Sequence, residues 1–233
     1  MNIIQILLAG MLSLGHTSKT TPTKPKHEKI IHVKDAYTQL SEKSNNLPER
    51  EIFEKALAGW ALLENDLSNP MLTIIDFSLP STEKRMWVID PNTLEVKLHT
   101  VVSHGRNSGN LFAESFSNIP NSYKSSLGFY KTAETYQGKH GYSLRLDGLE
   151  KGFNDKARDR AIVIHGADYA REEVAKSSGR LGRSLGCPAL PSEISKEAID
   201  LIKNGSLIFI YGQDSQYLSN SPILSEALFT QPT

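Results

Sequence analysis

Apolar residues recur along this chain with two different periods. Between residues 48 and 70 the spacing is helical: Ile52, Ala56, Trp60 and Leu63 share one face, with Phe53 and Leu57 beside them. Pro48 suits a helix start, Glu49 and Glu51 suit the positive end of its dipole, and Asn69-Pro70 is a stop. Such a face must pack on something, and Trp60 reads as its anchor. A shorter helix is expected over residues 34–43. After Pro70 the pattern changes and β-branched residues multiply. Residues 72–77, 86–90 and 94–102 read as short strands, with turn chemistry such as Asp90-Pro91-Asn92 between them. Residues 125–130 look like a turn entering another strand. Residues 142–146 alternate as a further strand and run into Asp147-Gly148. Ile162-Val163-Ile164 is a buried strand. A helix near 193–203 carries Ile194, Ala198 and Leu201 on one face, Asn204-Gly205 stops it, and 206–211 is the last strand. Many short strands with few helices predict a mainly β fold, either a β-sandwich or a partly open barrel.

The two ends behave differently. Residues 3–14 are mostly apolar, too short to cross a bilayer but as long as a signal-peptide core. No Lys or Arg precedes the run and no Ala-x-Ala follows it, so an export signal stands against an ordinary amphipathic segment. Residues 16–28 are mostly Ser, Thr, Lys and Pro with almost nothing to bury, the composition of a flexible linker. The expected division is a signal segment at 1–18, a linker at 19–33, a helical N-terminal region at 34–69, a catalytic domain at 70–213 and a polar, peripheral tail at 214–233. The 26 basic and 26 acidic residues cancel, which gives no footing for a polyanionic partner such as nucleic acid. The single cysteine cannot form an intramolecular disulfide, so the fold must rest on its core. In an exported protein a lone thiol is kept for chemistry more readily than for packing.

That cysteine anchors the candidate chemistry. His165-Gly166 sits where the 162–164 strand ends, and a polar loop holding Asp168, Arg171, Lys176, Arg180 and Arg183 leads to Ser184-Leu185-Gly186-Cys187-Pro188. A thiol beside small residues, with a histidine upstream, is the layout of a nucleophile and its base. Gly186 lets backbone approach a substrate carbonyl, which makes the Gly186 and Cys187 N–H groups oxyanion-hole candidates. The alternative is a small buried cysteine with no chemistry, and the pattern alone weighs the two about equally. His104 and His140 lie on loops beside glycine, within reach of the site. No close pair of ligands has metal-site spacing, so neither metal nor cofactor is expected. His16, His27, His32 and His99 have no context beyond surface or linker.

Several blocks together resemble the murein L,D-transpeptidase catalytic-domain family (YkuD-type). They are Ile74-Ile75-Asp76-Phe77-Ser78-Leu79-Pro80, Ser103-His104-Gly105-Arg106-Asn107-Ser108-Gly109, Gly141-Tyr142-Ser143-Leu144-Arg145-Leu146, the Ile164-His165-Gly166 strand end and Arg183-Ser184-Leu185-Gly186-Cys187-Pro188-Ala189. The resemblance spans roughly residues 71–213 and implies a β-sandwich-like catalytic domain, with Cys187 as nucleophile and His165 as base. It implies that Gly166 orients the imidazole through its carbonyl and that Ser184 opens the signature. It departs from the family at Leu185, where a second histidine is usual, and at Pro188-Ala189-Leu190, where an arginine or asparagine is usual. Arg183, abutting the signature, is the best candidate to hold stem carboxylates, with Arg171 and Arg180 as readily solvated loop charges. Tyr142 lines the donor pocket or belongs to the core, and His104 joins Arg183 and Tyr142 as a substrate-binding candidate. The implied reaction is acyl transfer through a thioester on peptidoglycan stem peptides, giving 3→3 cross-links, in the periplasm or cell envelope. Alternatives are an L,D-carboxypeptidase, an inactive peptidoglycan-binding protein, or a cysteine peptidase, which would need an Asn or Asp to orient the imidazole.

Overall fold

The computed structural model describes residues 33–229. The expected signal segment and linker lie outside the described residues, apart from Val33. Two helices come first, α1 (Val33–Lys43) and α2 (Arg50–Leu63), followed by a 3-10 turn at Glu64–Asp66. Then come β1 (Leu72–Asp76), β2 (Met86–Asp90), β3 (Glu95–Thr100), β4 (Gly128–Gly138), β5 (Gly141–Gly148) and β6 (Val163–Gly166). The chain closes with α3 (Glu172–Ser178), β7 (Ala189–Leu190), α4 (Ser192–Ile202), β8 (Leu207–Tyr211), α5 (Ser215–Asn220) and α6 (Pro222–Phe229).

All eight strands join in one mixed sheet, in the order β3-β2-β1-β8-β4-β5-β6-β7. The last strand lies in its middle, parallel to β1 and antiparallel to β4. Such a strand turns two short meanders into one sheet, a pairing that strand patterns do not reveal. Beyond β3 the chain continues to the opposite edge. Ser103 there forms an antiparallel bridge with Ala189 of β7, and Gly105 a parallel one with Ser184. The sheet is therefore curled and nearly closed, the barrel-like one of the two expected architectures, and its strands do not divide into the two separate sheets of a sandwich.

The helices share the sheet's core. Ile52, Phe53, Ala56, Leu57 and Trp60 on α2 are buried with Leu72, Ile74, Phe129 and Phe209. Trp60 anchors as expected, and its Nε1–H donates to the Pro70 carbonyl at 2.9 Å. Each such large apolar side chain contributes about 1.5–3 kcal/mol by leaving water. At Gly59 a Cβ would meet the Phe129 ring at 2.4 Å, so helix and sheet approach too closely for any other residue. The segment after Gln213, expected to be peripheral, instead packs inward: Tyr217 and Leu224 are buried and α6 lies on α2. Its tether is polar. The buried Glu150 carboxylate accepts from the Phe129 N–H at 2.8 Å, from the Tyr217 hydroxyl at 3.0 Å and from the Ser221 hydroxyl. Polar composition hid the tail's role because several of its polar groups are satisfied inside the protein. Among the described residues no helix is long and apolar enough to cross a membrane.

Candidate active site

β6 carries the histidine and β7 brings the cysteine to it. Val163 and Ile164 are buried strand residues, and β6 ends at His165-Gly166, paired with β5 through Ser143 opposite His165. β7 runs parallel on the other side, with Ala189 opposite His165. Cys187 lies two residues before Ala189, so strand pairing delivers the thiol to the same sheet end. The half-buried Cys187 Sγ is 3.5 Å from the Val163 N–H and 3.6 Å from the Ala161 carbonyl oxygen. Both side chains line one cleft of about 330 Å³.

His165 is only 2 % exposed, and its Nδ1 lies 2.9 Å from the Gly166 carbonyl oxygen. A carbonyl can only accept, so Nδ1 carries the proton and Nε2 is left with a lone pair. Burial lowers the pKa of His165; the Gly166 carbonyl opposes this, and charge on His140 and Lys139 adds to it. Burial pushes the Cys187 thiol up, against the Val163 N–H and the cations Arg160 and Lys139. Burial thus favours the neutral form of both thiol and imidazole.

The signature loop is held from inside and from below. The Ser184 hydroxyl donates to the Cys187 carbonyl at 2.6 Å and accepts from the Gly186 N–H at 3.0 Å. Gly186 adopts φ +125, and a Cβ there would lie 2.9 Å from the Lys124 carbonyl oxygen, so glycine is required. The Gly186 N–H, expected in an oxyanion hole, is taken by the serine two residues before it. Among the described residues, no protein acceptor engages the Cys187 N–H. Below the loop, the Ser184 N–H donates to the His104 carbonyl at 3.0 Å, Arg106 to Ser184 at 2.8 Å and Ser103 to Ala189 at 2.8 Å. Gly166 packs against α4, where a Cβ would meet the Ser195 hydroxyl at 2.5 Å.

The other expected site residues divide. Arg183 lines the cleft, its guanidinium donating to the Gly109 carbonyl at 2.8 Å and the Arg106 carbonyl at 3.2 Å. Tyr142 lies outside it and donates its hydroxyl to Asp200 at 2.9 Å, on α4. His104 also lies outside, 1 % exposed beneath the loop, with Nδ1 2.8 Å from Arg85 Nη2. Burial and the Arg85 cation push His104 down to about 4, so the ring is neutral. Arg85 is itself fully buried, spending its other donors on the carbonyls of Val102 and Leu79. Arg171 is paired with Asp168 and Glu193, and Arg180 is bonded to the Leu181 carbonyl, both away from the cleft.

Four lining residues carry no sequence signal of their own: Tyr136, Lys139, Arg160 and Tyr169. Arg160 is fixed by the carbonyls of Ser117 and Lys124 at 2.7 and 2.6 Å. Lys139 and His140 form the tip of the β4–β5 hairpin, and the His140 ring stacks on His165 with centroids 4.3 Å apart. The signal that could have found them is the glycine pair, Gly138 and Gly141, closing a two-residue turn. Among the described residues, no group of three or more His, Cys, Asp or Glu side chains is arranged to hold a metal ion.

Comparison with known proteins adds the family. The L,D-transpeptidase catalytic domain matches residues 44–211. No curated protein matches the chain. Among solved structures, an L,D-transpeptidase from Mycobacterium smegmatis is 13% identical with a TM-score of 0.38, over 61% of this chain and 59% of that one. An L,D-transpeptidase from Stackebrandtia nassauensis is 13% identical with a TM-score of 0.38, over 78% and 77%. One from Mycobacterium tuberculosis is 13% identical with a TM-score of 0.34, over 61% and 58%. The chain thus spans about three fifths of the Mycobacterium smegmatis protein. With the family match extending over most of its length, the chain belongs to the L,D-transpeptidase catalytic-domain family.

Proposed function

We propose that this protein is a cysteine-dependent L,D-transpeptidase that joins peptidoglycan stem peptides through a thioester, working without a cofactor in the periplasm or cell envelope. The observation that carries this reading is the pairing of β6 with β7. It sets Cys187 and His165 in one cleft, with the His165 Nδ1–H fixed on Gly166 and Nε2 left as a base.

His165 Nε2 takes the thiol proton as Cys187 Sγ attacks the carbonyl carbon of the third stem residue. The oxyanion forms against the Cys187 N–H, the amide donor free to receive it. As the tetrahedral centre collapses, the C–N bond to the terminal D-Ala breaks and His165 returns the proton to the departing amine. The thioester is then attacked by an amine of a second stem. That amine's proton passes to His165, the C–S bond breaks and the proton returns to sulfur, leaving a 3→3 cross-link. Water in place of the amine gives a tripeptide, the L,D-carboxypeptidase outcome of the same residues. Arg183 and Arg160 supply positive charge for stem carboxylates, while Ser184 keeps the loop in shape. An intact thiol–imidazole pair favours this over an inactive peptidoglycan-binding protein.

Mass analysis of tetrapeptide muropeptides incubated with wild-type protein and with Cys187→Ala tests the reading. Loss of D-Ala only with the wild type is expected, with dimers marking transpeptidation and tripeptides hydrolysis. Unchanged muropeptides with the wild type, or equal turnover by both proteins, would overturn it. His165→Ala should slow acylation about a hundredfold or more.

A further inference from the structure

We propose that His140, at the tip of the β4–β5 hairpin, is a positioning residue for His165: it lies against the imidazole ring, fixes its plane and closes that side of it to water. The inference rests on the transpeptidase reading for its kinetic part and on geometry alone for the rest.

The hairpin outruns the sheet. β4 pairs with β8 only from Gly128 to Lys131, whereas its pairing with β5 continues to Gly138 opposite Gly141. A register shift between Thr132 and Thr135 lies between the two regions, the kind of irregularity that bends a ribbon. β5 in turn pairs with β6 up to Ser143 opposite His165, so Gly141 and Tyr142 extend past the imidazole. The tip consists of Lys139 and His140, and Gly141 takes φ +73. The result is a ring-on-ring contact with centroids 4.3 Å apart and planes 23° apart.

His165 needs that second contact. One hydrogen bond from Nδ1 to Gly166 leaves the ring free to rock about the bond, carrying Nε2 toward or away from the sulfur. Stacking removes that motion. The hairpin also brings charge. The titratable groups lining the cleft with His165 are Tyr136 from β4, Lys139 and His140 from the tip, Arg160 from the segment before β6, Tyr169 from the turn after it, and Arg183 and Cys187 from the signature loop. Among the described residues no carboxylate lines the cleft. Charge on His140 and Lys139 opposes a proton on His165, and His140 is the one of the two in ring contact.

Two substitutions separate the flat ring from its charge. His140 is exposed at a turn, so neither disturbs the core. His140→Ala removes both ring and charge, and should lower kcat about tenfold while leaving KM for the donor near its wild-type value. His140→Phe keeps a flat ring, and should restore most of kcat while moving the acidic limb of the pH profile up by about half a unit. The same comparison needs no substrate when followed through the His165 Cε1–H resonance of the whole protein. That resonance should lose its ring-current shift in the alanine variant and keep it in the phenylalanine one, with the titration midpoint raised in both. A His165 resonance and midpoint unmoved by either substitution, or a wild-type kcat in His140→Ala, would overturn the proposal. Coupled resonances in a protein that converts no muropeptide would sink the transpeptidase reading and leave the coupling standing.

Discussion

The buried pair beneath the signature loop makes stability depend on pH in a specific way. His104 is 1 % exposed and accepts from Arg85 through Nδ1, so in the folded protein it binds a proton only at about 4, against 6.5 for an ordinary imidazole. The unfolded chain therefore binds more protons than the folded one between those values, and stability must fall as pH falls through them. The 2.5 units between these values correspond to about 3 kcal/mol in full, of which about 2 kcal/mol is lost between about pH 7 and pH 5. In a protein whose total stability is about 5–15 kcal/mol, that loss is large. His104→Gln keeps an acceptor for Arg85 but cannot titrate. Urea unfolding of both proteins across that range would measure the effect as a difference in slope, whatever the substitution does to the absolute level. His165 titrates alike in both proteins and drops out of the comparison, as do the buried carboxylates Asp76 and Glu150, whose raised pKa values act in the opposite direction. If the two proteins lose stability in parallel on acidification, the His104–Arg85 contact is not protecting the imidazole from protons and the reasoning fails.

Three further outcomes follow from the signature loop. Ser184→Ala should cost about 2–4 kcal/mol, since the Gly186 N–H and the Cys187 carbonyl both lose their partner; thermal unfolding would register it, and a cost below about 0.5 kcal/mol would show that the hydroxyl does not shape the loop. Gly186→Ala forces a Cβ toward the Lys124 carbonyl at φ +125 and should cost about 1–3 kcal/mol, with altered Cys187 alkylation; unchanged melting would mean the loop relaxes without strain. Alkylation of Cys187 by iodoacetamide should keep rising beyond pH 9, the thiol's ordinary value; a plateau already reached below neutrality would instead indicate a resting thiolate–imidazolium pair.

How much was legible beforehand follows the reach of each interaction. Residues 86–90 form β2 as expected, and 72–77, 142–146 and 193–203 differ from β1, β5 and α4 only at their ends, because burial with period two or 3.6 is written locally. The second half of β4 was missed because Lys131-Thr132-Ala133-Glu134-Thr135-Tyr136-Gln137 is polar on both faces and has few partners beyond β5. α3 lay hidden in the polar loop, since its seven residues bury only Ala175. For the site, spacing and resemblance name Cys187, His165, Ser184 and Arg183 as candidates, and the structure places all four along one cleft. His104 was misplaced because a histidine beside glycine looks accessible, and only the fold shows Arg85 and Phe77 packed against it. Arg160 and Lys139 reach the cleft from a loop and a hairpin tip, through tertiary contacts that no local pattern encodes.

The place where the two edges of the sheet meet also bears on how the molecule matures. The thiol-bearing loop is held to residues 103–106 on one side and, through β7, to His165 on the other. Both holds join segments far apart along the chain, so a partly built sheet has no assembled cleft. Contacts between segments so distant along the chain are costly to bring together and tend to form late. Thiol and imidazole would then come into register only with the final closure. Under the proposed transpeptidase reading, competence for acyl transfer would then be a property of the closed sheet alone.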